Sequence, residues 1–218
     1  MNEPTAFLYP FIDAQERDHE ALLADLTASV LAKVHASRTL RAATLERCEN
    51  VLRSAGTAMA ERFRRGGRLF AFGNGGSATD AEGTVELFRG LSRERSLPAV
   101  SLVEDRAVLT ALANDIGFDV VFSRQLIAHA RSDDIAIGFS TSGDSLNVLR
   151  AFEEARRRGL LTIGLCGYEG GAMAASEAVE HCLVVASDSV HRIQETQDAL
   201  VLALWTVVQH ELEEGGAR

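Results

Sequence analysis

The stretch DIAIGFSTSGDSLNV, Asp134 to Val148, decides the fold. After Asp134, the residues Ile135 to Phe139 are apolar without alternation, as in a strand buried on both faces of a parallel sheet. The next six, Ser140-Thr141-Ser142-Gly143-Asp144-Ser145, form a polar turn, and a helical stretch begins near Asp144. Strand, turn and helix in that order make half of a βαβ unit. Four more short runs repeat the plan: Arg68 to Phe72, Pro98 to Val103, Leu160 to Cys166 and Cys182 to Ala186. Each is joined to the next by enough residues for a crossover helix, so the expected fold class is α/β with a doubly wound parallel sheet.

Upstream of these runs the period changes. Leu22, Leu26, Val30 and Val34 recur every four residues, and Leu45, Cys48, Leu52, Ala55, Met59 and Phe63 continue one apolar stripe. Two helices are expected there, with a break at Ala36-Ser37-Arg38-Thr39 and an end at Gly66-Gly67. Downstream, a last helix from about Val190 to Glu213 has the centre ALVLALW, Ala199 to Trp205, which is apolar nearly all round. Such a helix is buried on several sides, and packing between subunits supplies the cover, so a homo-oligomer is expected. The basic runs Arg62-Phe63-Arg64-Arg65 and Arg156-Arg157-Arg158 each close a predicted helix and complement its dipole.

Composition narrows the function. The 218 residues suffice for one well-cored domain with additions, and the net charge of -9 argues against a direct nucleic-acid partner. Lys33 is the single lysine among 22 basic residues, and it sits in the N-terminal helical region. Schiff-base chemistry and a Gly-Lys-Ser/Thr phosphate loop are thereby excluded. The cysteines, Cys48, Cys166 and Cys182, show no CxxC spacing and no even-numbered framework, which fits a reducing cytoplasm. The N-terminus, MNEPTAFLYPFIDAQERD, does not resemble a secretory signal. The longest apolar stretch, Leu200 to Val208, is about half of the ~20 residues of a membrane span, so no membrane partner is expected.

In a doubly wound sheet, ligands bind where the carboxyl ends of the strands meet helix N-termini. Two loops fall there, Gly73-Asn74-Gly75-Gly76-Ser77 and Ser140 to Ser145. A helix N-cap requires one hydroxyl or carboxylate. Four hydroxyls in six positions exceed that need and point to a phosphate cradle that uses no lysine. The first loop lacks the GxGxxG spacing of dinucleotide sites.

Five segments together carry a family resemblance: GNGGSATDAE (73–82), ALANDIGFDVVFSRQL (111–126), GFSTSGDSLNV (138–148), LCGYEGGAMA (165–174) and HRIQE (191–195). In order and spacing they resemble a sugar isomerase (SIS) domain of the phosphoheptose isomerase type, over about Leu40 to Glu211. The resemblance implies a five-stranded parallel sheet and a tetramer built around a helical bundle. Residues 1–66 would then be the oligomerisation helices, and 67–218 the phosphosugar-binding core with its C-terminal helix. A phosphorylated sugar such as sedoheptulose 7-phosphate would bind at the subunit interface. By the same resemblance, Ser140, Thr141, Ser142 and Ser145 would hold the phosphate. Asn74, Gly75, Gly76, Ser77, Asn114, Asp115 and Gln194 would line the sugar pocket.

Active members of that family join this Gln to a His and a Glu on the helix after the first loop, and to a second His on the last helix, around a divalent metal. The corresponding residues here are Gly83, Leu87 and Leu202. None of the three side chains can bind a metal or transfer a proton, so the family's zinc site is read as lost and no cofactor is expected. Two readings follow. One is a phosphosugar-binding protein without the usual isomerase machinery, acting as a sensor, scaffold or partner of another protein. The other is an aldose-ketose isomerase with a rearranged site in which Glu86, Gln194 and His191 carry the catalysis.

Overall fold

The computed structural model describes residues 19–90 and 96–216. The N-terminal segment 1–18, read above as no secretory signal, lies outside the described residues. The chain divides into two compact units between Thr39 and Leu40.

Helix α1 (His19–Arg64) runs without a break. The interruption expected at Ala36 to Thr39 is absent, because Ala and Arg favour helix and no glycine or proline forces Ser37 and Thr39 out of it. Its end is as expected: Gly66 N donates to Phe63 O (2.9 Å) and Gly67 N to Arg62 O (2.9 Å), the pair of bonds that closes a Schellman motif.

Next come β1 (Leu69–Gly73), α2 (Gly76–Arg89), β2 (Ala99–Ser101) and α3 (Arg106–Asp115). A 3₁₀ turn (Phe118–Val120) leads into α4 (Val121–His129), β3 (Ile135–Ser140) and α5 (Leu146–Arg157). The chain closes with β4 (Leu161–Gly167), α6 (Gly171–Ala175), β5 (His181–Val185) and α7 (Val190–Gly216). The five strands form one parallel sheet in the order β2-β1-β3-β4-β5. The expected strands stand within one residue of their places except β2, which ends two residues early where a turn follows Ser101, although Leu102 N still donates to Ala71 O of β1 (2.9 Å).

Each face of the sheet buries its own core. Leu69, Ala71, Ile137, Phe139 and Ile163 face a layer that includes Leu52 and Met59 of α1, Val85 of α2, and Leu200 and Leu204 of α7. The alternate residues Phe70, Phe72, Ala136 and Cys166 face Phe122 of α4, Phe152 of α5 and Met173 of α6. Alternation of side chains across the pleat thus sends α2 and α5 to opposite faces. Strand β2 is added on one side of β1 and strands β3 to β5 on the other, so the order of winding reverses at β1/β3 and makes that junction the switch point where an open α/β sheet leaves a crevice.

The apolar centre of α7 is covered only in part: Leu200, Val201 and Leu204 are buried, while Leu202 is 52% exposed. Among the described residues, no helix is long and apolar enough to cross a membrane.

Candidate functional site

The two loops singled out by sequence adjoin at the switch point, after β1 and after β3. Asn74 and Asn147 tie them together by exchanging amide hydrogen bonds of 2.8 and 2.9 Å. Asn147 lies in the first turn of α5 and is buried. Sequence reading passed over it, since an asparagine just inside a helix looks like an ordinary polar residue.

Within the second loop the hydroxyls have separate tasks. Ser140 ends β3, is only 3% exposed, accepts from Gly143 N (3.1 Å) and donates to Ser145 Oγ (3.0 Å). It shapes the loop from inside. Ser142 is exposed and accepts from Asp144 N (3.1 Å). Thr141, partly exposed, offers its carbonyl to Gly167 N (2.9 Å). Ser145 is the N-cap of α5, yet its side chain makes no capping bond, and α2 starts from Gly75 equally without a side-chain cap. Both helix N-termini therefore reach the crevice with first-turn amides that no cap side chain occupies, the arrangement that receives an anion.

Gly143 has φ +76°, and a Cβ there would lie 2.0 Å from Gly170 O, so the loop after β3 is nested against the loop after β4 backbone to backbone. A cleft of about 700 Å³ opens beside this nest, lined by Ser142, Asp144, Tyr168, Glu169, Ser187 and Asp188 among others. Its three carboxylates suit hydroxyls or a cation rather than a phosphate.

On the side of β1, Gln194 of α7 packs on the start of α2: a Cβ at Gly76 would come 2.3 Å from its Nε2. Gln194 Nε2 donates to Asp80 Oδ2 (3.1 Å). Burial pushes the Asp80 carboxyl up to about 6, with the nearby Asp198 charge adding to the rise and the Gln194 bond opposing it. Asp80 is a titratable group in direct contact with the retained Gln. Nothing in the sequence marked it, because its partner stands 114 residues away. At about 100° per residue, Gly76, Asp80, Gly83 and Leu87 share one stripe of α2, and Glu86 stands about 100° round from Leu87.

The remaining candidates stand apart. Ser77 is 5% exposed, with its backbone N donating to Asn74 O (3.0 Å). Asn114 and Asp115 are exposed in the last turn of α3 and bond to each other (2.8 Å). Glu86 and His191 are exposed, and neither makes a side-chain hydrogen bond or ion pair among the described residues. No three His, Cys, Asp or Glu side chains among the described residues gather as a metal-ion site.

Residues 34–167 match the family model described as the SIS domain. The chain belongs to the SIS domain family. Within it this SIS protein is phosphoheptose isomerase-like. It is 40% identical over 163 residues to the phosphoheptose isomerase of Geobacter sp. strain M21, covering 74% of this chain and 84% of that one. It is 38% identical over 190 residues to that of Roseiflexus sp. strain RS-1, covering 86% and 95%. The solved structure of phosphoheptose isomerase from Neisseria gonorrhoeae superposes with a TM-score of 0.78 at 34% identity, over 85% of this SIS protein and 99% of that chain. The structure from Francisella tularensis does so with a TM-score of 0.78 at 31% identity, over 84% and 98%. The five-stranded parallel sheet with its flanking helices is thus that of the family.

Proposed function

We propose that this SIS protein binds a phosphorylated sugar of the heptose phosphate class at the β1/β3 crevice and lacks the metal-dependent isomerase machinery of its relatives. The observation that carries this reading is the stripe of α2 that faces Gln194. It holds Gly83 and Leu87 beside an otherwise retained set of loops. A Cβ at Gly83 would meet nothing within 4 Å, so packing does not require glycine there. A divalent ion at this place would need nitrogen, sulfur or carboxylate donors from α2 and α7. Gly83 and Leu87 offer none and Leu202 of α7 presents hydrocarbon; the Asp80 carboxylate beside Gln194 is already bonded to that amide, and with Asp198 it does not gather into a set of three donors among the described residues.

The phosphate would sit on the amides at the start of α5, with Thr141, Ser142 and Ser145 around it and Ser140 holding the loop in shape. The sugar would lie toward Asn74, Gly75, Gly76 and Gln194. Asn114 and Asp115 join this set only through the family resemblance. We place the chain in the cytoplasm as a homotetramer, with a protein partner as the receiver of the ligand signal.

The test is incubation with sedoheptulose 7-phosphate, with and without added zinc, followed by NMR for product and by thermal shift for binding. The expected result is a raised melting temperature, no turnover and no effect of zinc. Turnover would overturn the reading. Its loss in Asp80→Asn, but not in Glu86→Gln or His191→Ala, would then assign the proton transfer to Asp80.

A further inference from the structure

The three cysteines, far apart in sequence, converge on one edge of the sheet. Cys166 is the penultimate residue of β4 and Cys182 the second residue of the edge strand β5, and their sulfurs stand 3.5 Å apart. Cys48 of α1 reaches the same edge strand, its sulfur 4.0 Å from Val184 O. Cys166 is fully buried and Cys182 partly exposed, so solvent meets the outer thiol of the pair first. The hydrogen bond between the two sulfurs holds the Cys182 thiol below its ordinary range, and that same bond together with burial pushes Cys166 up.

The pair also adjoins the phosphate loop. Cys166 is the register partner of Ser140, where that loop begins. The residue after it, Gly167, donates the backbone hydrogen bond to Thr141 O. A pull on Cys166 toward β5 is therefore a pull on the support of the loop.

We propose that Cys166 and Cys182 are a peroxide-oxidisable dithiol whose closure into a disulfide weakens the phosphate loop. The Cys182 thiol loses its proton to solvent, its thiolate attacks one peroxide oxygen and the O–O bond breaks, leaving a sulfenic acid on Cys182 while the departing hydroxide takes that proton up as the first water. The Cys166 sulfur then attacks that sulfur and the S–O bond breaks. The released hydroxide takes the Cys166 proton as water. Two thiols are oxidised to one disulfide and one hydrogen peroxide is reduced to two waters. The register pairs Cys166 with Val184 and Cys182 with Gly164, so the two cysteines lie diagonally on paired strands, and closing their sulfurs from 3.5 Å to the roughly 2.05 Å of a disulfide shifts β4 against β5 at this edge.

The coupling to the loop rests on the phosphate-binding reading, whereas formation of the bond does not. The experiment treats the purified full chain with hydrogen peroxide, maps disulfides by mass spectrometry after alkylation, and measures sedoheptulose 7-phosphate binding before oxidation, after it, and after dithiothreitol. The expected result is a Cys166–Cys182 disulfide with Cys48 left free. Sugar phosphate binding should weaken about tenfold, the worth of one lost hydrogen bond, and recover on reduction. Cys182→Ser should bind like the parent before oxidation and be insensitive to it. Retention of all three thiols, a bond to Cys48 instead, or over-oxidation of Cys182 alone overturns the dithiol. A mapped disulfide with unchanged affinity overturns the coupling. Failure of the reduced protein to bind sugar phosphate removes the functional reading, and the disulfide map still decides the pair.

Discussion

Ser142 is the hydroxyl of the β3 loop that solvent reaches most freely, while Ser140 is enclosed and Ser145 is engaged with it. A carboxylate at position 142 would set a fixed negative charge against a phosphate and compete for the same amides. Ser142→Asp should therefore abolish stabilisation by sedoheptulose 7-phosphate in a thermal shift assay. The aspartate keeps an oxygen to accept from Asp144 N but adds a charge beside Asp144, Glu169 and Asp188, so the melting temperature of the free variant is measured alongside and should fall modestly without loss of the folded transition. Binding equal to the parent's would move the phosphate elsewhere. The division of labour among these hydroxyls was not legible in the sequence, where four in six positions look alike. Their density was legible, and it located the loop. What fixes each role is burial and the turn of Gly143, both set by a neighbouring strand that the local sequence does not contain.

The elements α2 and α7 meet through Gly76, Asp80 and Gln194, so the ionisation of Asp80 is felt by the helix pair. Its carboxyl titrates near 6 in the fold against an ordinary value of 3.8, because burial disfavours the charged form. Folding thus favours the protonated group. The stability it contributes is fully present below pH 4 and is lost as pH rises through 6. Asp80→Asn removes that titration and keeps an oxygen to accept from Gln194. The urea midpoint of this variant should match the parent near pH 4 and exceed it increasingly toward pH 7; parallel curves would discard Asp80 as the titrating group. At this scale the sequence was informative about strands, since unalternated runs such as Ile135 to Phe139 have one stable place, the middle of a covered parallel sheet. It was less informative about helix ends. Ser37 and Thr39 carry capping side chains that helix α1 passes over, because capping residues permit an end without compelling one.

For the molecule as a whole, the apolar surface left uncovered bears on assembly. Leu23, Leu26, Val30 and Val34 are exposed along one stripe of α1 in the first unit, and Leu202 is exposed on α7. Burial of such a stripe contributes about 25 cal/mol per Å², which favours association of copies. Light scattering should give about four times the 23.5 kDa of one chain, the proposed tetramer. The double variant Leu26→Glu with Val30→Glu should fall to a smaller species, and a parent already monomeric at 23.5 kDa would end the proposal. The nested contact of Gly143 with the loop after β4 has its own reach. Gly143 presses on Gly170 O, and a Cβ at Gly171 would lie 2.4 Å from Ser142 O, so each loop is the mould of the other. An engineer who wished to transplant a different ligand preference into this scaffold could not exchange residues 140–145 alone. The graft would have to carry residues 167–171 with it, as a matched pair from a single donor.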